Sequence, residues 1–132
     1  MKQKNNKRLA KEWFNIGKEE LNFAQASFKE LDAFYSQVCF LCHQAVEKYL
    51  KGFLVYHKGR FPKIHDLIEL LKLCGKIDKE FLNFLEEIAI LDQYYLVTRY
   101  PLAYPPAKKE QAKEALEVVE KIVNFINQRI EE

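Results

Sequence analysis

Four glycines and four prolines are all that 132 residues contain. The breaks they mark are therefore few: one around Gly59 and Pro62, one at Gly75, one at Pro101, Pro105 and Pro106. Apolar runs extend over only a few residues, which excludes a membrane-spanning helix. Cysteines number three, an odd count with Cys39 and Cys42 too close for a long-loop clip. No export signal is in view, so a reduced, cytoplasmic setting is the expectation. The only methionine is Met1. Formal net charge is +2, too small to argue for nucleic-acid binding by itself.

What is present is a chain 48% hydrophobic and 30% charged, long enough for one domain with its own core over residues 1–132. Between the breaks the apolar period is helical rather than alternating. Residues 9–31 place Trp13, Ile16, Glu20/Leu21, Ala24, Phe28 and Leu31 at three- and four-residue steps, and residues 34–58 do the same with Val38, Cys42, Ala45, Tyr49, Phe53 and Tyr56. A short helix is expected over 66–74, with Asp66 in its first turn and Gly75 as its C-terminal cap. Asp78 suits the cap of a helix over 79–97 that turns Phe81, Leu82, Leu85, Ile88 and Leu91 inward. Pro106 suits the first turn of a last helix reaching about residue 130. No segment reads as a strand. The expected fold is all-α: an up-and-down four-helix bundle with an additional short helix. Residues 1–8, with Lys2, Lys4, Lys7 and Arg8, read as a solvated, fraying start to the first helix or as a basic arm toward phosphate.

Cys39-x-x-Cys42-His43 has the spacing of a c-type haem attachment. It falls inside a helical pattern with Cys42 on the apolar stripe, and no second ligand pair completes a zinc site. Buried, apolar cysteines are the better reading, so neither haem nor zinc nor any other cofactor is expected.

The run His43-Gln-Ala-Val-Glu47-Lys48-Tyr-Leu-Lys51, then His65-Asp66-Leu67 opening a helix, then Arg99-Tyr100-Pro101, resembles the HEPN domain, named for nucleotide binding in higher eukaryotes and prokaryotes. The resemblance spans about residues 9–128. It implies a helical bundle that forms a homodimer, often encoded beside a minimal nucleotidyltransferase as a toxin–antitoxin pair. It also implies that active members are metal-independent ribonucleases, whose motif is an arginine followed after four to six residues by a histidine. Here Arg99 stands in the RYP-type stretch, but no histidine follows it. Arg60-Phe-Pro-Lys-Ile-His65 satisfies the spacing, though it precedes the short helix rather than lying on a late one.

The candidate catalytic residues are therefore Arg60, His65 and Arg99, a cation to stabilise a phosphorane and an imidazole to move a 2'-hydroxyl proton. Candidates for nucleotide or RNA contact are Lys48, His65, Asp66, Arg99, Tyr100 and Tyr104. Each has a plainer reading beside it. His65 can serve as a packed residue at a helix start, with Arg60 in solvent. Arg99 can pair internally with Asp92 or Glu47. Glu47 and Lys48 read either as a solvated helix edge or as buried partners between helices, with Lys51 favouring a surface i,i+4 pair for Glu47. The cluster Tyr94, Tyr95, Tyr100 and Tyr104 reads as packing or as a platform for a base. The expected function is a nucleotide- or RNA-associated module that partners a nucleotidyltransferase. A ribonuclease toxin and a purely structural bundle are the alternatives.

Overall fold

A computed structural model describes residues 2–97 and 105–130. The elements are α1 (Lys2–Glu30), α2 (Tyr35–Lys58), α3 (Leu67–Gly75), a 3-10 helix (Lys79–Phe84), α4 (Leu85–Asp92), α5 (Tyr94–Val97) and α6 (Lys109–Ile130). The fold is an all-α bundle, with no strand among the described residues.

α1 and α2 form a long antiparallel hairpin. Phe28 meets Tyr35 near the loop, Phe14 meets Tyr49 midway, and Lys7 lies over Tyr56 at the far end. Two glycines let the helices approach: a Cβ on Gly17 would lie 2.7 Å from the Tyr49 ring, and one on Gly52 would lie 2.5 Å from the Phe14 ring. Each helix thus sets a glycine beneath the aromatic side chain of the other. α2 is the centre of the bundle, with fourteen of its twenty-four residues buried, so it needs partners on nearly every side. α6 runs parallel to it, tied at one end by Ala107 N–H donating to Ser36 Oγ (2.8 Å) and at the other by Tyr56 hydroxyl donating to Ile130 O (3.4 Å). The segment 67–97 is the remaining leg, delivered in short pieces.

Those pieces depart from the continuous helix expected over 79–97. Asp78 does cap it, its carboxylate accepting from Glu80 N–H at 3.0 Å, but the first turns are 3-10. Three residues per turn keep Phe81 and Phe84 on one edge, and both rings contact Phe125 of α6 at 4.9 and 5.1 Å. Phe81 also meets Phe53 at 4.6 Å, so an aromatic chain joins α2, the 3-10 helix and α6. Leu82 and Leu85 consequently face outward, while Phe81, Ile88 and Leu91 are buried.

Other boundaries shift for local reasons. α1 begins at Lys2, so the basic stretch is helical almost from its start. Ile16 lies on the outside of α1, and Leu31, just past its end, is exposed as well. Gly75 is the last residue of α3 rather than a left-handed cap; its bare Cα fits against Leu82, whose Cδ2 would be 2.7 Å from a Cβ there. α6 begins after the prolines, with Lys108 N–H donating to Gln111 Oε1 at 2.7 Å.

The three cysteines are free and buried in the core. Burial pushes the Cys39 thiol up to about 12 and raises Cys42 and Cys74 further. They are inert packing groups at neutral pH.

Candidate functional site

Four-residue spacing puts His43, Glu47 and Lys51 on one face of α2. That face is not solvated: the three side chains are 0%, 3% and 5% exposed. Glu47 and Lys51 do form the expected i,i+4 pair, at 2.8 Å, but inside the protein rather than on its surface. Charges so placed must find partners, because an isolated buried ion is strongly disfavoured.

Glu47 is the hub. Its Oε2 accepts from Lys51 Nζ and lies 2.9 Å from His65 Nδ1, 18 residues ahead in the loop before α3. Burial alone would raise the Glu47 carboxyl, but the hydrogen bonds from Lys51 and His65 outweigh it and hold it below its ordinary value. Lys51 is walled on its other side by aromatic rings, with Phe61 at 5.3 Å and Trp13 at 5.9 Å from its ammonium. Trp13 and Phe61 meet edge to face at 4.6 Å.

His43 sits deeper. Its Nε2 is 3.4 Å from Asp92 Oδ1, and its Nδ1 is 3.4 Å from Gln44 Oε1 and 3.9 Å from Glu47 Oε1, so the ring lies between two carboxylates with an amide oxygen nearest to Nδ1. Among the described residues, His43 Nε2 and Glu47 Oε1 are the two buried polar atoms left without a properly aligned hydrogen bond. Asp92 Oδ1 also accepts Leu67 N–H at 3.0 Å, fastening the end of α4 to the start of α3. Burial works to raise the Asp92 carboxyl, yet His43 and the Leu67 N–H together hold it low. Tyr95 of α5 covers both imidazoles. Its ring stacks on His65 at 5.3 Å and 17°, and lies 5.3 Å from His43 at 37°.

The exposed member of this network is His65, whose side chain is 55% accessible. A carboxylate on Nδ1 favours the tautomer that carries its proton there, which leaves Nε2 with a lone pair. The ring is thus fixed in orientation by a buried anion and by a stacked aromatic while it remains open to solvent. In this state it can accept a proton or, once protonated, donate to a phosphate oxygen.

The other candidates are distributed differently. Asp66 is the N-cap of α3: its Oδ1 accepts from Ile68 N–H at 2.9 Å and Glu69 N–H at 3.2 Å. With Leu67 N–H taken by Asp92, the donors at the start of α3 are engaged. Lys48 pairs with Glu20 of α1 at 3.3 Å, linking two helices, and makes no hydrogen bond or ion pair with His65 among the described residues. Arg60 is not brought to His65. Phe61 turns in against Trp13 and Lys51, and Arg60 lines a separate groove with Lys58 and Lys76. Tyr94 is buried, and burial pushes its hydroxyl up to about 12. Arg99, Tyr100 and Tyr104 lie outside the described residues. Among the described residues no helix is long and apolar enough to cross a membrane, and no group of three acidic, histidine or cysteine side chains is arranged to hold a metal ion.

Sequence reasoning missed the His43–Asp92 contact and the aromatic wall around Lys51. The available signal was three polar residues at four-residue steps on a helix otherwise rich in apolar residues.

An up-and-down helical bundle whose central helix carries a buried His–Glu–Lys ladder, closed by a histidine from the following loop, defines a small helical module with one polar corner. The HEPN domain model matches residues 10–129, and the chain belongs to that family. Among solved structures, TT1696 from Thermus thermophilus superimposes with a TM-score of 0.77 at 31% identity, covering 92% of this chain and 98% of that one. ST0689, an archaeal HEPN homologue, shares the fold with a TM-score of 0.73 at 24% identity, with coverage of 92% and 98%. No curated protein matches the chain.

Proposed function

We propose that the chain is a nucleotide- or RNA-associated HEPN module whose ligand-facing group is His65, acting as a homodimer beside a minimal nucleotidyltransferase in a cytoplasmic toxin–antitoxin pair. The observation that carries this reading is the His65 imidazole, half in solvent yet oriented by the buried Glu47 carboxylate at 2.9 Å. Lys51 already gives Glu47 a counter-ion at 2.8 Å, and the solvent-open edge of the His65 ring is what a structural pairing alone does not require. Arg99, Tyr100 and Tyr104, from the RYP-type stretch, are the cation and rings this reading assigns to phosphate and base. The engaged amides of α3 leave anion recognition to side chains rather than to the helix end.

Pairing of two copies has support in a largely apolar groove of about 390 Å³ between α1 and the start of α2. Phe23 and Phe34 on its rim are 63% and 65% exposed. Phe34 holds a left-handed φ of 63° to stand there, a conformation that costs about 1–3 kcal/mol for a non-glycine residue. A second copy is the occupant proposed for this face.

A second reading, metal-independent RNA cleavage, is favoured by the same Glu47–His65 geometry. In it, Nε2 takes the 2'-hydroxyl proton as the 2'-oxygen attacks phosphorus and the P–O5' bond breaks, and the leaving 5'-oxygen is reprotonated from solvent. One experiment addresses both readings: a labelled transfer-RNA pool with excess EDTA, read by gel shift and by denaturing gel, for the wild type, His65→Ala and Arg99→Ala. Binding that either substitution weakens at least about tenfold, or 1.4 kcal/mol, supports the module. Cleavage abolished by His65→Ala adds the enzyme. Absence of both binding and cleavage overturns both readings.

A further inference from the structure

Arg60 has no part in the His65 network, and the groove it lines has a chemistry of its own. The 59–66 loop crosses the C-terminal ends of α2 and α3 and leaves a cleft of about 250 Å³. Leu54, Pro62 and Leu73 form its apolar floor, and Lys58, Arg60 and Lys76 its rim, with no carboxylate in the lining. All three cations are exposed, and among the described residues none pairs with an acidic side chain. Many other basic side chains of the chain also stand in solvent, and what sets this groove apart is that three of them gather around one apolar floor with no acid among them. Three unpaired cations around an apolar floor are complementary to something apolar that carries negative charge.

We propose that this groove docks an acidic segment of a partner protein, which inserts one apolar side chain between Leu54, Pro62 and Leu73 and places flanking carboxylates against Lys58, Arg60 and Lys76. Two arguments select that occupant over a free phosphate or a nucleic acid. Both α2 and α3 end here, and each C-terminus contributes roughly half a negative charge that offsets part of the rim. A lone phosphate meets that reduced field from exposed, salt-screened cations, so an apolar anchor must supply the rest. The aromatic in the lining, Phe61, is engaged by Trp13 at 4.6 Å and Lys51 at 5.3 Å, so it offers no open ring for base stacking. The cleft is also below the roughly 300–1,000 Å³ typical of small-molecule sites, a size that suits a single side chain.

The test is fluorescence anisotropy with a labelled peptide in which one leucine is flanked by aspartates and glutamates, at low salt, against the full chain. The expected result is saturable binding that weakens about tenfold or more in Arg60→Glu/Lys76→Glu, and also when the peptide leucine becomes serine. Arg60→Ala/Lys76→Ala should give an intermediate loss, and circular dichroism checks that each variant keeps its helices. The proposal is overturned if the wild type shows no saturable binding, or if the charge reversal leaves binding unchanged. It is equally overturned if labelled oligouridylate binds more tightly than the peptide and loses affinity in the same double variant, which would make the groove a nucleic-acid surface. His65→Ala should leave peptide binding unchanged, so this inference and the His65 reading fail separately.

Discussion

Substituting glutamine for Glu47 removes one charge and almost no volume from the middle of α2. Two cationic groups lose their counter-ion: the Lys51 ammonium, 5% exposed and enclosed by Trp13 and Phe61, and the His65 imidazole when protonated. Breaking a buried pair by removing one partner costs about 3–5 kcal/mol, because the remaining charge stays buried. Glutamine keeps a carbonyl acceptor at the same place, so the lower end, about 3 kcal/mol, is expected. For a domain of 132 residues each kcal/mol corresponds to about 3–5 °C, which gives a Tm lower by about 10–15 °C at neutral pH. The assay is thermal and urea denaturation followed by circular dichroism. The pH dependence carries a sign. Glu47 has a folded pKa depressed below its ordinary 4.5, so its stabilisation is fully present above that pH and is lost as pH falls through the depressed value. The gap between wild type and variant should therefore be widest near neutrality and close under acid conditions. A Tm within about 2 °C of wild type at neutral pH, or a gap that widens in acid, would refute the burial and pairing of Glu47.

Three further outcomes follow from other parts of the structure. Gly52→Ala should destabilise by about 1–3 kcal/mol in urea titrations through its clash with Phe14, and the penalty should shrink in a Phe14→Leu background; equal penalties in both would contradict the crossing described. Phe34→Asp should shift the light-scattering mass at micromolar concentrations from two copies to one while the circular dichroism spectrum stays unchanged, whereas an unaltered dimer would place the interface elsewhere. Cys39, Cys42 and Cys74 should all resist a thiol reagent in the native protein at mildly alkaline pH and react together in urea, since burial raises every one of the thiols; rapid native labelling of any would show that the core is open.

The long helices were legible because their apolar residues recur at helical spacing. Of the short ones, Asp78 was legible as a cap and forms one, while Asp66, expected inside the first turn of its helix, is the cap just before it. The 79–97 stretch was legible as helix but not as three pieces. Its 3-10 start sets Phe81 and Phe84 against Phe125, 41 residues ahead of Phe84, and no local pattern encodes that contact. The site was half legible. Spacing placed Glu47 and Lys51 in contact, but their burial depends on Trp13 and Phe61 closing over Lys51 from two other segments. His43 was read through its neighbouring cysteines, whereas its setting comes from Asp92, on a helix whose end is fixed only when Leu67 N–H is bound. Arg60 and His65 share a motif spacing that an irregular loop does not turn into proximity; spacing predicts a shared face only along a regular helix or strand.

The measurement that tests the account most directly is long-range proton–nitrogen NMR of the His65 ring, recorded for the wild type with and without an RNA oligonucleotide, and for Glu47→Gln without it. A proton on Nδ1 is expected in the free wild type, with a weaker preference for that tautomer in Glu47→Gln, whose carbonyl is a poorer acceptor than the carboxylate, and a change at Nε2 as RNA is added. If the His65 nitrogens stay unmoved while RNA binding saturates, His65 is not the group that faces the ligand.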